Sequence, residues 1–154
     1  TVAHPSIRDW CEPIEKRRRP ENSAAASNSI PFCVAKALVH GEVCLADVAP
    51  QGLRDERAIA VAQRTNYSLS DRLAGGIVRV ETRDGRRLVA HGATPKGYRA
   101  QPVPFEQLAT KFRDCCGHSA VPLAPGQVDV LVSTINELER LEDISLITRL
   151  AGGG

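Results

Sequence analysis

Four adjacent cations, Lys16-Arg17-Arg18-Arg19, form the densest run of charge in the chain. Guanidinium groups suit phosphates and carboxylates because their planar fork binds two oxygens at once. Glu15 and Pro20 confine the run, no aromatic side chains interleave it, and the proline stops it from continuing as a recognition helix. A solvated connector is therefore the competing reading. Further on, Ser29 opens the segment Ser29-Ile30-Pro31-Phe32-Cys33-Val34-Ala35-Lys36-Ala37-Leu38. Its hydroxyl could face a substrate carboxylate or cap a helix. Cys115, Cys116 and His118 offer soft ligands, but a zinc site needs another close pair, so these cysteines are read as small hydrophobes and no metal is expected.

The composition sets limits on these groups. The chain has 154 residues, is 42% hydrophobic and 25% charged, and carries a formal net charge of +2. That balance suits one globular domain over 1–154 and argues neither for nucleic-acid nor for membrane binding; the order of elements, helices around a small antiparallel sheet, makes it α+β. No apolar stretch approaches the roughly 18 residues of a membrane span. Five cysteines, an odd number, with no secretion signal point to reduced thiols and a cytoplasmic setting. A chain with no Met that begins Thr1-Val2 is expected to be a processed chain or a piece of a longer product. Nucleotide-binding, zinc-protease and serine-hydrolase motifs do not occur, and no cofactor is expected.

The elements that must position these groups follow from punctuation and periodicity. Ser29 as cap, Pro31 in the first turn and Gly41 as terminator predict a buried helix over 30–40, with Lys36 and His40 its only polar side chains. Before it, a strand end at 1–3 and a helical turn at 5–11 lead into an extended connector over 14–28, with a weak helix start at Asn22 or Ser23. A helical or turn piece at 46–53 and a helix over 55–65 come next. Tyr67 to Leu69 alternates like a strand, and Gly75-Gly76 reads as a turn. Runs 77–82 and 86–91 flank Arg83-Asp84-Gly85, a strong hairpin signal. After a loop at 92–104 come helices over 105–116, with Leu108, Phe112 and Cys115 or Cys116 on its apolar face, then 127–141 and 143–150.

In register, these pieces resemble the second domain of the MmgE/PrpD family, which includes 2-methylcitrate dehydratase, cis-aconitate decarboxylase and iminodisuccinate epimerase. The resemblance is carried by the basic lead-in from Lys16 to Pro20, by Ser29-Ile30-Pro31-Phe32 with Ala37-Leu38 and Gly41, and by the strand pair about Asp84-Gly85. The loop from Lys96 to Pro104 and Lys111-Phe112 complete it. It implies a lid over a cleft shared with an N-terminal helical domain that holds most catalytic groups, a small di- or tricarboxylate substrate and a homodimer. It also implies candidate substrate contacts at Phe32, Ser29, Arg17, Arg18 and Arg19, with no catalytic residue assigned in this chain. Relatives often carry Tyr where Phe32 stands, so a proton-donating hydroxyl is missing here. The segment Ala24-Ala25-Ala26-Ser27-Asn28 also departs from the family pattern. A non-catalytic dimerisation or anion-binding domain is the alternative expectation.

Overall fold

Ten prolines and twelve glycines break the chain into short elements. The computed structural model describes residues 1–72, 75–92 and 95–152, whose contacts group into two compact units, Thr1–Pro102 and Val103–Gly154. The first unit starts with strand β1 (Val2–Ala3), a 3-10 turn (Pro5–Trp10) and helices α1 (Ile14–Arg18), α2 (Ser23–Ser27) and α3 (Ile30–His40). Helix α4 (Leu45–Val48), a 3-10 turn (Gly52–Arg54) and helix α5 (Glu56–Ala62) follow. Strands β2 (Ser68–Leu69), β3 (Gly76–Glu81) and β4 (Arg87–Gly92) complete the unit. The second unit holds helices α6 (Phe105–Gly117) and α7 (Pro125–Asn136), a 3-10 turn (Leu138–Arg140) and helix α8 (Ser145–Ala151). The architecture is α+β.

The sheet order is β2-β1-β3-β4, with β1 parallel to β2 and antiparallel to β3. The hairpin forms where Asp84-Gly85 predicts it: Ile77 pairs with His91, Val80 with Leu88 and Glu81 with Arg87. In the first unit the core is Ala26, Phe32 and Ile59, with Val48 and Leu53 packed against it. In the second, Ala109, Cys116, Val128 and Leu131 are buried.

Helix α3 matches its punctuation. The Ser29 hydroxyl accepts from the Phe32 amide, Pro31 lies in the first turn, and Gly41 takes the left-handed conformation at φ 90° that side chains avoid. Four other expectations are corrected. The connector over 14–28 is two short helices, because Asn22 caps α2 through the Ala25 amide at 2.8 Å and Arg17 anchors the end of α1 to backbone carbonyls. The helix over 127–141 starts at Pro125, stops at Asn136 and tightens into the 3-10 turn. Gly76 belongs to β3 rather than to a turn. On α6 Cys116, one of the two alternatives, is buried and Phe112 is half-buried as expected, but Ala109 takes the buried place of Leu108, which is exposed. Small side chains let that face approach its neighbours. Residues 93–94 of the loop expected at 92–104 lie outside the described residues.

Gly52 sits where a Cβ atom would overlap the backbone oxygens of Ala46 and Asp47. The turn after α4 can therefore close only without a side chain. Gly52→Ala is expected to lower the unfolding free energy by about 2 kcal/mol, the scale of an overpacked core, as read by urea denaturation. Gly117→Ala, with open space around it, is the control and leaves stability within about 0.5 kcal/mol.

Candidate functional site

Ser29, Phe32, Lys36 and His40 follow one another at spacings of three and four, and so share a face of α3. Toward the start of the helix that face is apolar: Phe32 is fully buried in the core. Toward its end the face carries charge. Lys36 is only 2% exposed, and its ammonium lies 3.3 Å from Asp47 Oδ1 and 3.0 Å from Asp55 Oδ2. It also stands 5.6 Å from the centre of the Phe32 ring. The His40 imidazole donates from Nε2 to the same Asp55 oxygen at 2.7 Å. One buried cation is thus matched by two carboxylates, the arrangement that makes a charge tolerable away from water.

Each carboxylate is also tied to the backbone. Asp55 precedes α5, and its Oδ1 accepts from the Arg57 amide at 3.1 Å and the Ala58 amide at 3.2 Å, an N-cap. Asp47 reaches back to the Cys44 amide at 3.0 Å and accepts from the Cys44 thiol at 3.3 Å. The cluster therefore joins α3, α4 and the start of α5. The His40 hydrogen bond holds the Asp55 carboxyl well below the usual range; burial opposes this, and Lys36 and the Ala58 amide add to the lowering. For Asp47, burial opposes ionisation, but the Cys44 amide and thiol with Lys36 outweigh it and keep its value low. His40 is the member of the cluster that reaches solvent, its side chain 40% exposed. An imidazole oriented by a carboxylate can accept or deliver a proton.

The residues singled out from the sequence lie around the other end of α3. Ser29 is buried and its hydroxyl is engaged twice, donating to the Arg17 carbonyl and accepting from the Phe32 amide. Arg17 donates to the carbonyls of Glu12 at 3.1 Å and Asn28 at 3.2 Å. Arg18, its side chain 14% exposed, donates twice to the Thr65 carbonyl, at 3.2 and 3.0 Å, and once to Asn66 at 2.8 Å, and it pairs with Glu15. Arg19 meets Glu56 at 3.2 Å and stays 63% exposed. The structure thus brings Ser29, Phe32 and Arg17 together as a packed joint, holds Arg18 against the end of α5, and leaves Arg19 on the surface. Lys111 is exposed.

On the other side of α3, a cleft of about 340 Å³ runs between α3, α5 and β3, with Val34, Leu38, Val61, Val78 and Val80 among its lining residues. Among the described residues no group of three or more His, Cys, Asp or Glu side chains is placed to hold a metal ion. All five cysteines are free; Cys11 and Cys116 are buried, Cys44 and Cys115 exposed. Among the described residues no helix is long and apolar enough to cross a membrane.

Sequence reasoning marked Lys36 and His40 as the polar residues of α3 but did not connect them to Asp47 and Asp55. The available signal was Asp55 standing at a helix start, with a lysine and a histidine one turn apart on an apolar helix.

The two lowered carboxyls make stability depend on acid. Their contribution is complete above about pH 4, the ordinary carboxylate value, and is lost as pH falls through the lowered folded-state values. Asp55→Asn retains a cap oxygen for α5 while removing the charge beside Lys36 and His40. It is expected to cost about 2–3 kcal/mol at pH 7 and to flatten the decline in stability below pH 4. Urea titrations across pH measure both, and an unchanged acid limb would contradict the assignment.

The comparisons with known proteins agree with this framework. No curated protein matches the chain. The family model described as the MmgE/PrpD C-terminal domain matches residues 8–136, a span that takes in α1 to α5, the hairpin, α6 and α7. With most of its length matched, from the arginine run to the end of α7, the chain belongs to the MmgE/PrpD family as a C-terminal domain.

Proposed function

We propose that the chain is the lid and substrate-cleft domain of an MmgE/PrpD-like lyase or isomerase acting on a small di- or tricarboxylate, by a 2-methylcitrate dehydratase-like elimination. Family membership over residues 8–136 is the observation that carries this reading. In the elimination a base removes the proton on the carbon beside a carboxylate, the carbon–carbon double bond forms, and the hydroxyl on the neighbouring carbon leaves as water after taking a proton from an acid. Cations hold the substrate carboxylates and stabilise the charge that develops as the proton leaves. The base belongs to a helical domain N-terminal to this one. The lid excludes water and adds a cation.

Of the cationic candidates, Arg17 and Arg18 are committed to carbonyls and to Glu15, whereas Arg19 is exposed and, among the described residues, paired only with Glu56. Arg19 is therefore the substrate contact this reading favours, and the buried Ser29 and Phe32 support the helix that carries the joint. The homodimer and the cytoplasmic setting belong to the same proposal, and the free thiols suit a reducing compartment.

One observation favours a non-catalytic dimerisation or anion-binding domain instead. Phe32 has no hydroxyl and Ser29 has spent its own, so the start of α3 offers no free polar side-chain group to a substrate.

The two readings separate on turnover. Joined to its helical domain, the protein is expected to dehydrate 2-methylcitrate or a related hydroxy-tricarboxylate, and Arg19→Ala to raise KM about tenfold with kcat little changed, the scale of one charge-assisted hydrogen bond. The isolated chain is expected to show no turnover. Failure of the two-domain protein to bind or convert any acid in such a panel removes the enzymatic reading, and activity in the isolated chain removes the division of labour.

A further inference from the structure

The β3–β4 hairpin is uncovered along one edge and on both faces of its outer strand. β4 ends the sheet, and all six of its residues are exposed. Leu88 and Val89, adjacent and so on opposite faces of the pleat, are 53% and 55% exposed. An open, hydrophobic edge strand is a template for pairing, and a hairpin with so little cover is marginal alone. Its charge is one-sided: over 79–87 four arginines stand against two carboxylates. Arg86 pairs with Asp84 at 2.8 Å and Arg87 with Glu81 at 3.8 Å, which leaves Arg79 and Arg83 without a carboxylate partner among the described residues.

The opposite composition occurs after α7. A cleft of about 540 Å³ is lined by residues 135–140, with Ile135 and Leu138 exposed at its wall. Over 137–143 four carboxylates stand against the single Arg140. Glu137 pairs with Arg140 at 3.8 Å and Asp143 with Arg149 at 3.0 Å; Glu139 and Glu142 have no cationic partner among the described residues.

We propose that the β3–β4 hairpin of one copy of the chain docks into the acidic cleft around 135–143 of a second copy. The hairpin supplies exposed aliphatic side chains flanked by guanidinium groups, and the cleft supplies exposed aliphatic side chains flanked by carboxylates. In the proposed pair each hairpin enters the other copy's cleft, so the contact is made twice. The proposal gives surfaces to the homodimer of the proposed function and rests on that part of it alone; the carboxylate chemistry stands or falls separately.

Charge exchange tests it. Arg83→Glu with Arg87→Glu makes the hairpin acidic, and Glu139→Arg with Glu142→Arg makes the cleft basic. All four positions are exposed, so the fold is kept, which circular dichroism verifies. Sedimentation over a range of concentrations is expected to show a dimer for the parent chain and a dissociation constant raised about tenfold or more for each double variant alone. Mixing the two variants is expected to restore association, because both contacts are again between opposite charges. A parent dimer that persists in both variants overturns the docking surfaces while leaving the dimer in place. Variants that weaken but do not recover on mixing also overturn them, and a parent chain that is monomeric throughout overturns both the surfaces and the dimer.

Discussion

A lysine ammonium buried on an apolar helix cannot be left alone, and much of the first unit is arranged to satisfy Lys36. Its two carboxylate partners come from different places, Asp47 on α4 and Asp55 at the start of α5. Each of them also accepts hydrogen bonds from backbone amides. Three helices therefore meet at one charge. Since an unpaired buried ion costs several kcal/mol, the turn through Gly52 and the cap of α5 must form together with the Lys36 contacts. The adjacent hydrophobic cluster is small, with Ala26, Phe32 and Ile59 at its centre. Where so little apolar area is available, the matched charges contribute much of the specificity of packing, and the orientation of His40 follows from the same carboxylate that balances the lysine.

The basic run illustrates how a sequence signal and its structural use diverge. Four consecutive cations look like an anion-binding strip, yet Arg17 and Arg18 are turned to the backbone carbonyl oxygens of Glu12, Asn28 and Thr65. A guanidinium with five donors suits this task, because it can close several helix ends at once. Arg19, one residue later, faces outward. Three neighbouring arginines at the end of a short helix point in different directions, so their shared chemistry in the sequence does not survive as a shared surface.

What could be read in advance was local. Ser29, Pro31 and Gly41 delimit α3 within a residue, and Asp84-Gly85 sets the hairpin, since caps and turns are decided by neighbouring backbone. On α6 Phe112 and Cys116 lie on the face that periodicity assigns them, but the large Leu108 is displaced by its small neighbour Ala109, which packing selects instead. The sheet order was out of reach: β1 and β2 have two residues each, too few to carry a pattern. The ion cluster was hidden for another reason. Asp55 lies 19 residues from Lys36, and nothing local links an N-cap aspartate to a lysine on an earlier helix. The family resemblance succeeded because it rested on several such local signals in the right order.

The contact between Arg18 and the Thr65 carbonyl, 47 residues apart, also has a kinetic meaning. Helix α1 has five residues, well below the length at which a helix persists alone in water. Closing so long a loop is slow relative to forming a single helix turn. The order of the N-terminal segment therefore depends on a contact that is slow to close, which makes Arg18 a clasp on the unit rather than its nucleus.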